Sequence, residues 1–458
     1  MGRIGIGPFG LLRGGTSMTE TIAITTLGCK ANQFDSEMMR ESLERSGFEI
    51  IPFPQKADIY IINTCTVTHR ADYQSRQLIR RAKRLNPSSL IVVTGCYSQV
   101  YPEEVQGVEG VGVVLGNGEK ASIADILRNP LKGPSPMVSV GDMEKERQIG
   151  EADIDRFSRH TRALLKVQDG CNASCAYCII PRARGRSRSL DLVGVFHRLQ
   201  RLKNSGFNEV VLTGIHLGIY GSDLSPPTSL AELCEKTNDI PAPQRIRLSS
   251  IEPADFRPEL IQSIASSPRL CNHLHIPMQS GDDDILRRMN RNYDGNFFAD
   301  LVQTLVHRIP DINIGVDVIV GFPGEGEKEF RNTYDFLEKS DIGYLHVFPF
   351  SRRRGTEAYQ FAHQVDPRTK KGRCEALRAL GRRKRAAFHG RFLGRELEVL
   401  VEGKRDKHTG RLKGYSRNYI PVLVEGGDSL VNREIRVSVT ALEDGRVVGR
   451  IVGDIPGR

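Results

Sequence analysis

The chain has 458 residues, 39% of them apolar, and carries a formal net charge of +10 with a pI of about 9.2. This length allows roughly three domains with ordinary folded cores. No run approaches the roughly 20 apolar residues of a membrane span, and residues 1–17 lack the ordered regions of a signal peptide. No membrane partner is therefore expected, and the nine cysteines do not read as a disulfide framework; in a cytoplasmic protein, clustered ones read as metal ligands or catalytic thiols.

Residues 1–17 are glycine-rich and read as a flexible extension or as the product of an early start codon, with Met18 the alternative start. From Thr21 short apolar runs alternate with amphipathic ones. Residues 21–26 predict a strand, 33–46 a helix, 58–63 a strand, 71–85 a helix, and 89–94 and 111–115 two further strands. This alternation predicts β-α-β units and a parallel sheet, in a first domain spanning 18–131. A linker rich in Gly, Pro and charge follows over 132–155.

The second domain, 156–392, repeats the pattern at larger scale. Its candidate strands are 163–167, 209–212, 245–249, 273–276, 312–320 and 344–347. Six such units predict a partial (β/α)6 barrel instead of the closed eight-fold one. Residues 367–392 read as basic connecting helices. The last segment, 393–458, changes character: short β-rich runs at 396–401, 419–424, 434–442 and 447–452 predict a small all-β, OB-like barrel.

Two basic clusters stand out. Arg382, Arg383, Lys384, Arg385, Arg391 and Arg395 run together, and Arg182, Arg184, Arg186 and Arg188 alternate in one short stretch. Both suit a polyanion partner.

Cys171, Cys175 and Cys178 form C-x3-C-x2-C directly after the first strand of the second domain. Thiolates at this spacing fold around one corner of a cube, so one loop can ligate three irons of a [4Fe–4S] cluster and leave the fourth open. A structural zinc ion would want a fourth ligand, and the loop offers none. Cys29, Cys65 and Cys96 are far apart in sequence, yet each follows a predicted strand of the first domain. The carboxyl ends of neighbouring parallel strands lie along one sheet edge, where open α/β folds place ligands. The three thiols can converge there on one metal centre, or they are three small buried residues. Cys234, Cys271 and Cys374 lack ligand spacing and read as buried thiols.

The run GCNASCAYC, with Tyr177 before its last cysteine, resembles the signature of the radical S-adenosylmethionine (SAM) superfamily. Together with TLGCKANQFDSE, INTCTVT and TGCYSQ it resembles the methylthiotransferase family, from about Thr21 to the carboxyl terminus. The resemblance implies a cluster domain, a radical SAM barrel and a TRAM domain that binds RNA. It implies two [4Fe–4S] clusters, on Cys29, Cys65 and Cys96 and on Cys171, Cys175 and Cys178. The implied reaction turns a C–H bond into C–SCH3: one SAM methylates a sulfur on the first cluster, and a second SAM is cleaved at the other to a 5′-deoxyadenosyl radical. GCKAN, LTGIHLG, NHLHIPMQSG and LHVFPFSRRRGT are most similar to the branch acting on N6-threonylcarbamoyladenosine at position 37, in the tRNA anticodon loop. Ala31, where that branch more often has Val, is a departure without chemical consequence.

The resemblance also implies roles for other residues. Tyr177, Thr213, Gly214, Ser249, Ser250, Glu252 and Gln279 would contact SAM or shape its pocket. His216, His273, His275 and His346 are expected in the core or behind the metal ligands. Lys404, Arg405, Arg411, Lys413 and Arg417, with Tyr415 and Tyr419, would hold RNA by charge and stacking. The implied partners are tRNA, an electron donor such as flavodoxin or ferredoxin, and a sulfur source. The rival readings are the same chemistry on a ribosomal-protein aspartate, and a non-catalytic iron–sulfur protein that senses RNA.

Overall fold

The computed structural model describes residues 19–128, 135–149, 161–443 and 445–454. The expectation for residues 1–17 lies outside them. In the first domain β1 (Thr21–Thr26), β2 (Glu49–Pro52), β3 (Ile59–Thr64), β4 (Leu90–Gly95), β5 (Val113–Leu115) and β6 (Met137–Ser139) form one sheet in the order β2-β1-β3-β4-β5-β6. Every pairing is parallel. The central strand, IYIINT, is buried at every position, as a parallel strand covered by helices on both faces must be. Helix α1 (Lys30–Arg45) starts directly after Cys29, and helix α2 (His69–Leu85) is capped by Thr68, whose hydroxyl accepts from the Ala71 amide. In this sheet two strands depart from the sequence reading. β2 went unpredicted, and β6 lies inside the stretch expected to be linker; both are short edge strands whose patterns are too brief to register.

The second domain begins with β7 (Arg162–Lys166) and a small ribbon of β8 (Gln168–Asp169) and β9 (Arg188–Ser189). Its barrel strands continue with β10 (Glu209–Thr213), β11 (Arg245–Leu248), β12 (His273–Gln279), β13 (Asn313–Val320) and β14 (Tyr344–Pro349). They form two parallel half-sheets, β11-β10-β7 and β12-β13-β14, joined by an isolated bridge from Ile246 to Leu270. The wall is therefore open between β7 and β14.

The first domain fills that opening. On the β7 side Lys166 and Arg184 reach Asp35 of α1 at 2.6 and 3.0 Å. On the β14 side Arg353 pairs with Asp72 at 2.5 Å and donates to Thr66 Oγ1. The helix Pro367–Gly390 packs on β14 and leads into a closed barrel of β15 (Glu396–Val401), β16 (Leu412–Ser416), β17 (Pro421–Val424), β18 (Glu434–Glu443) and β19 (Arg446–Asp454). This small barrel closes the amino-terminal end of the large one. Arg245 bridges Glu209 (2.7 Å) and Glu434 (2.8 Å), Arg247 bridges Glu209 (3.0 Å) and the Arg417 carbonyl (2.9 Å), and Asn313 donates to the Asn418 carbonyl.

Glu209 is fully buried at the centre of this contact. Burial alone would raise its carboxyl, but Arg247 and Arg245 hold it at about 2. A carboxyl lowered on folding adds stability above its unfolded value and loses it as pH falls towards the folded one. Docking of the small barrel should therefore hold down to about pH 4 and weaken between about pH 4 and 2. Glu209→Gln leaves two arginines buried without their shared counter-charge. It should cost about 3–5 kcal/mol and move barrel release to neutral pH, measurable by limited proteolysis after residue 392 across a pH series.

Candidate functional site

The amino-terminal thiols sit where the sheet delivers them. Parallel register sets Thr26 beside Asn63 and Thr64 beside Gly95, so Cys29, Cys65 and Cys96 all leave the carboxyl edge at neighbouring strands. Gly28 has φ 101°, and a Cβ there would lie 2.8 Å from Cys65 Cβ and 3.1 Å from its sulfur. Only glycine lets the Cys29 loop run against Cys65. Asn32 locks the same loop by donating to the carbonyls of Leu27 and Thr64. Cys29 is exposed, while Cys65 and Cys96 are buried. Cys29 occupies the amino-terminal cap of α1, whose positive end faces an anionic ligand set favourably. Burial, then the neighbouring Cys96, pushes the Cys65 thiol up to about 12.

The second triad lies in the loop after β8. Cys171 Sγ is 3.5 Å from His216 Nδ1 and accepts from the Ala173 amide at 3.4 Å. Asp255 holds the other nitrogen of His216 at 2.8 Å. Burial opposes protonation of that ring, but the hydrogen bonds with Asp255 and Cys171 raise it to about 10. Cys175 Sγ accepts from Arg291 Nη1 at 3.2 Å, and Arg291 is ion-paired with Glu252. Burial pushes the Cys178 thiol up to about 12. The helix after this loop joins the two triads: Asn117 Nδ2 lies 3.9 Å from Cys96 Sγ and donates to the Ala183 carbonyl at 2.7 Å.

The thiol spacing tests which metal centre fits. Tetrahedral zinc at 2.3 Å from each sulfur draws its thiolates to within about 4 Å of one another. Among the described residues, one set of three His, Cys, Asp or Glu ligand atoms falls within 4.8 Å, and it is His275, Asp317 and His346. Neither cysteine triad is gathered that tightly. The wider arrangement suits a cluster in which each thiolate takes a different iron.

Other predicted residues lie at or just after the carboxyl ends of the barrel strands. Thr213 ends β10 and is buried; the Gly214 amide donates to Ser249 Oγ at 3.4 Å; Gln279, at the bulged end of β12, is buried with φ 65°. Ser250 is exposed. Tyr177 is packed edge-on against Phe322 in an apolar cluster with Ala176, Ile285 and Met289, so its place is structural support for the loop. Glu252 touches the triad through Arg291. Arg291, Asp255, Asn117 and Gln168, whose Oε1 accepts from the His216 amide, were not found in the sequence. Arg291 and Asp255 lie far along the chain from the sulfurs they serve, and none of the four belongs to a short motif.

Two of the basic stretches need correction in part. Arg184 and Arg188 are buried, and Arg184 is held by Asp169 and Asp35. Arg184 therefore joins the two domains and Arg188 braces the same stretch, so neither is offered to a polyanion, whereas Arg182 and Arg186 are exposed. In the small barrel, Arg417 is fixed between Glu434 and Glu398 and donates to the Pro268 carbonyl. Tyr419 stacks on Tyr415 and His273 at 4.8 and 4.6 Å, inside the contact with the large barrel. Lys404 and Arg405 are exposed, and Arg411 and Lys413 are half-exposed.

Residues 21–116 match the model described as Uncharacterized protein family UPF0004, and residues 165–337 match the Radical SAM superfamily. The chain is 39% identical to "Threonylcarbamoyladenosine tRNA methylthiotransferase MtaB" of Bacillus subtilis, over 92% of this chain and 93% of that one. It is 34% identical to "tRNA-2-methylthio-N(6)-dimethylallyladenosine synthase" of Moorella thermoacetica, over 94% and 98%. The fold is similar to that of the radical S-adenosylmethionine methyltransferase TsrM from Kitasatospora setae, with TM-score 0.53, 17% identity, and 74% and 77% of the two chains covered.

The contact from Arg291 to Cys175 predicts a measurable change. A cation donating to a cluster sulfur favours the more negative, reduced state. Were Cys171, Cys175 and Cys178 to hold a [4Fe–4S] cluster, Arg291→Gln should lower its midpoint potential by roughly 40 mV, what about 1 kcal/mol amounts to for one electron. A redox titration followed by electron paramagnetic resonance reads it; an unchanged midpoint would refute the contact's role.

Proposed function

Because this chain belongs to the methylthiotransferase family of radical SAM enzymes, we propose that it converts N6-threonylcarbamoyladenosine at position 37 of tRNA to its 2-methylthio derivative. The observation that carries this reading is the joining of two cysteine triads, one from each of two domains, through Asn117 and the helix after Cys178. In this reading Cys29, Cys65 and Cys96 hold one [4Fe–4S] cluster, and Cys171, Cys175 and Cys178 the other. SAM lies against Thr213, Gly214, Ser249, Ser250, Glu252 and Gln279. When bound, the clusters and SAM supply the electron, the radical chemistry and the methylthio group.

The chain's own residues hold, orient and shelter these groups. His216 and Arg291 face the sulfurs of the barrel triad, and Asp255 and Glu252 fix their side chains. The first domain closes the lateral opening of the barrel and the small barrel closes its floor, so water is kept from both sides. The target base must leave its stack to enter from the remaining face. Lys404, Arg405, Arg411 and Lys413 hold the tRNA backbone. Flavodoxin or ferredoxin supplies electrons, a separate donor supplies sulfur, and the setting is the cytoplasm. No helix among the described residues is long and apolar enough to cross a membrane.

Two experiments test this. Nucleosides of tRNA from a deletion strain should lose the 2-methylthio derivative and accumulate the unmodified threonylcarbamoyl form by mass spectrometry. Purified Cys65→Ala should retain about half of about eight irons, still cleave SAM, and transfer no methylthio group; product from that variant would exclude passage of sulfur through the amino-terminal site.

Binding of tRNA tests the small barrel. Each cation on a phosphate releases condensed counterions, so affinity falls with salt. Lys404→Glu with Arg411→Glu should weaken tRNA binding and flatten its salt dependence by about two contacts. Equal affinities and equal slopes for wild type and variant would remove the small barrel from RNA recognition.

A further inference from the structure

The inward side of the large barrel is charged, and nearly all of that charge is already paired. Along β7, β10 and β11 the inward positions of the lower half are Arg162, Glu209, Arg245 and Arg247. Arg162 pairs with Glu402 at 2.9 Å, and Arg245 and Arg247 both pair with Glu209. Lys30 enters the same space from the first domain. It is the first residue of α1, bonded to Cys29, and only partly exposed. Its charged neighbours are Arg247 and Arg162, then Glu209 and Cys29. His273 of β12 likewise has Arg247, His275, Lys30 and Arg162 as its neighbouring cations. Among the described residues, the Lys30 ammonium has neither a hydrogen bond nor an ion pair.

A partly buried ammonium among arginines, without a counter-ion of its own, is unfavourable until an anion reaches it. The position of this charge matters, because Lys30 directly follows a residue of the amino-terminal triad. The threonylcarbamoyl group on N6 ends in a carboxylate, which is anionic at neutral pH. A dimethylallyl group at the same nitrogen is apolar and uncharged.

We propose that Lys30 is the residue that recognises the carboxylate of the target nucleoside. This inference rests on the reading that the substrate carries a threonylcarbamoyl group. The ammonium takes the free carboxylate as its missing partner, which holds the N6 substituent on the barrel side of the amino-terminal triad. Arg162 and Arg247 contribute field but not the contact, since their guanidinium groups are committed to Glu402, Glu209 and the Arg417 carbonyl. A nucleoside with an uncharged N6 group would leave Lys30 unpaired, so the same residue rejects it.

Binding of N6-threonylcarbamoyladenosine and of its methyl ester to the reconstituted holoenzyme tests the assignment. The ester keeps size and shape and removes the charge. Wild type should bind the acid about ten- to hundredfold more tightly than the ester, the range for a hydrogen bond to a charged group. Lys30→Gln should bring the two affinities within about twofold of each other by weakening the acid alone, and Lys30→Arg should restore most of the preference. Three results would overturn the assignment: no acid preference in wild type, a full preference in Lys30→Gln, or equal weakening of acid and ester accompanied by lost iron, which would make Lys30 a support of the cluster. Failure of the underlying reading looks different. Wild-type holoenzyme would then leave threonylcarbamoyl-containing tRNA without a methylthio group, whatever Lys30 does.

Discussion

Where the first sheet meets the edge of the open barrel, three buried cations share two buried carboxylates. Asp35 of α1 receives Lys120 at 2.8 Å, Lys166 at 2.6 Å and Arg184 at 3.0 Å, and Asp169 receives Lys166 and Arg184. Burial opposes the charge on Asp35, and the three cations hold its carboxyl well below the ordinary range. Such a network is poor evidence for stability, since desolvating five charges offsets most of what their attraction supplies. Its consequence is geometric. The acids come one from each domain, and Arg184 also bonds Asn32 in the loop that carries Cys29. Sliding one domain over the other would strand several charges at once, so the relative position of the two thiol triads is fixed.

This fixation explains why the barrel can remain open. A closed eight-stranded barrel supplies its own walls. Here the gap between β7 and β14 is filled by a separate domain whose sheet edge, not its face, points inward. The parallel sheet brings its ligand-bearing edge to the chamber just as the barrel strands bring theirs. Two sets of strand ends thus look at one volume, and each contributes three thiols from loops. The chemistry is shared between domains because neither alone has walls enough to enclose it.

The sequence showed the thiols and the strands behind them because those signals are local: three cysteines within eight residues, or a cysteine straight after an apolar run. It could not show what surrounds the sulfurs. His216 is 45 residues from Cys171 and Arg291 is 116 from Cys175. The same limit explains the misread arginines. Arg184 looks like part of a surface for polyanions when its counter-charges cannot be seen, and Asp35 lies 149 residues from it. Tyr415 and Tyr419 looked available for stacking on bases because the groups that cover them, Arg162 on both rings and His273 on Tyr419, belong to another domain. The edge strands β2 and β6 escaped for a simpler reason: three or four residues are too few for a pattern.

What makes an arginine of the small barrel available to RNA is the partner it must give up. Arg417 is wedged between two acids and a carbonyl, and removing it would leave the largely buried Glu434 with Arg245 as its one remaining cation among the described residues. Arg405 and Arg411 are also paired, but with Asp428 and Glu425, which are 79% and 81% exposed. Pairs of that kind contribute about 0–1 kcal/mol. A phosphate, with its full charge and several acceptor oxygens, replaces such a partner at little cost, and the released carboxylate returns to water. The two kinds of arginine are indistinguishable in sequence and opposite in use: one fastens the small barrel to the large one, and the other is held in reserve by a contact weak enough to exchange.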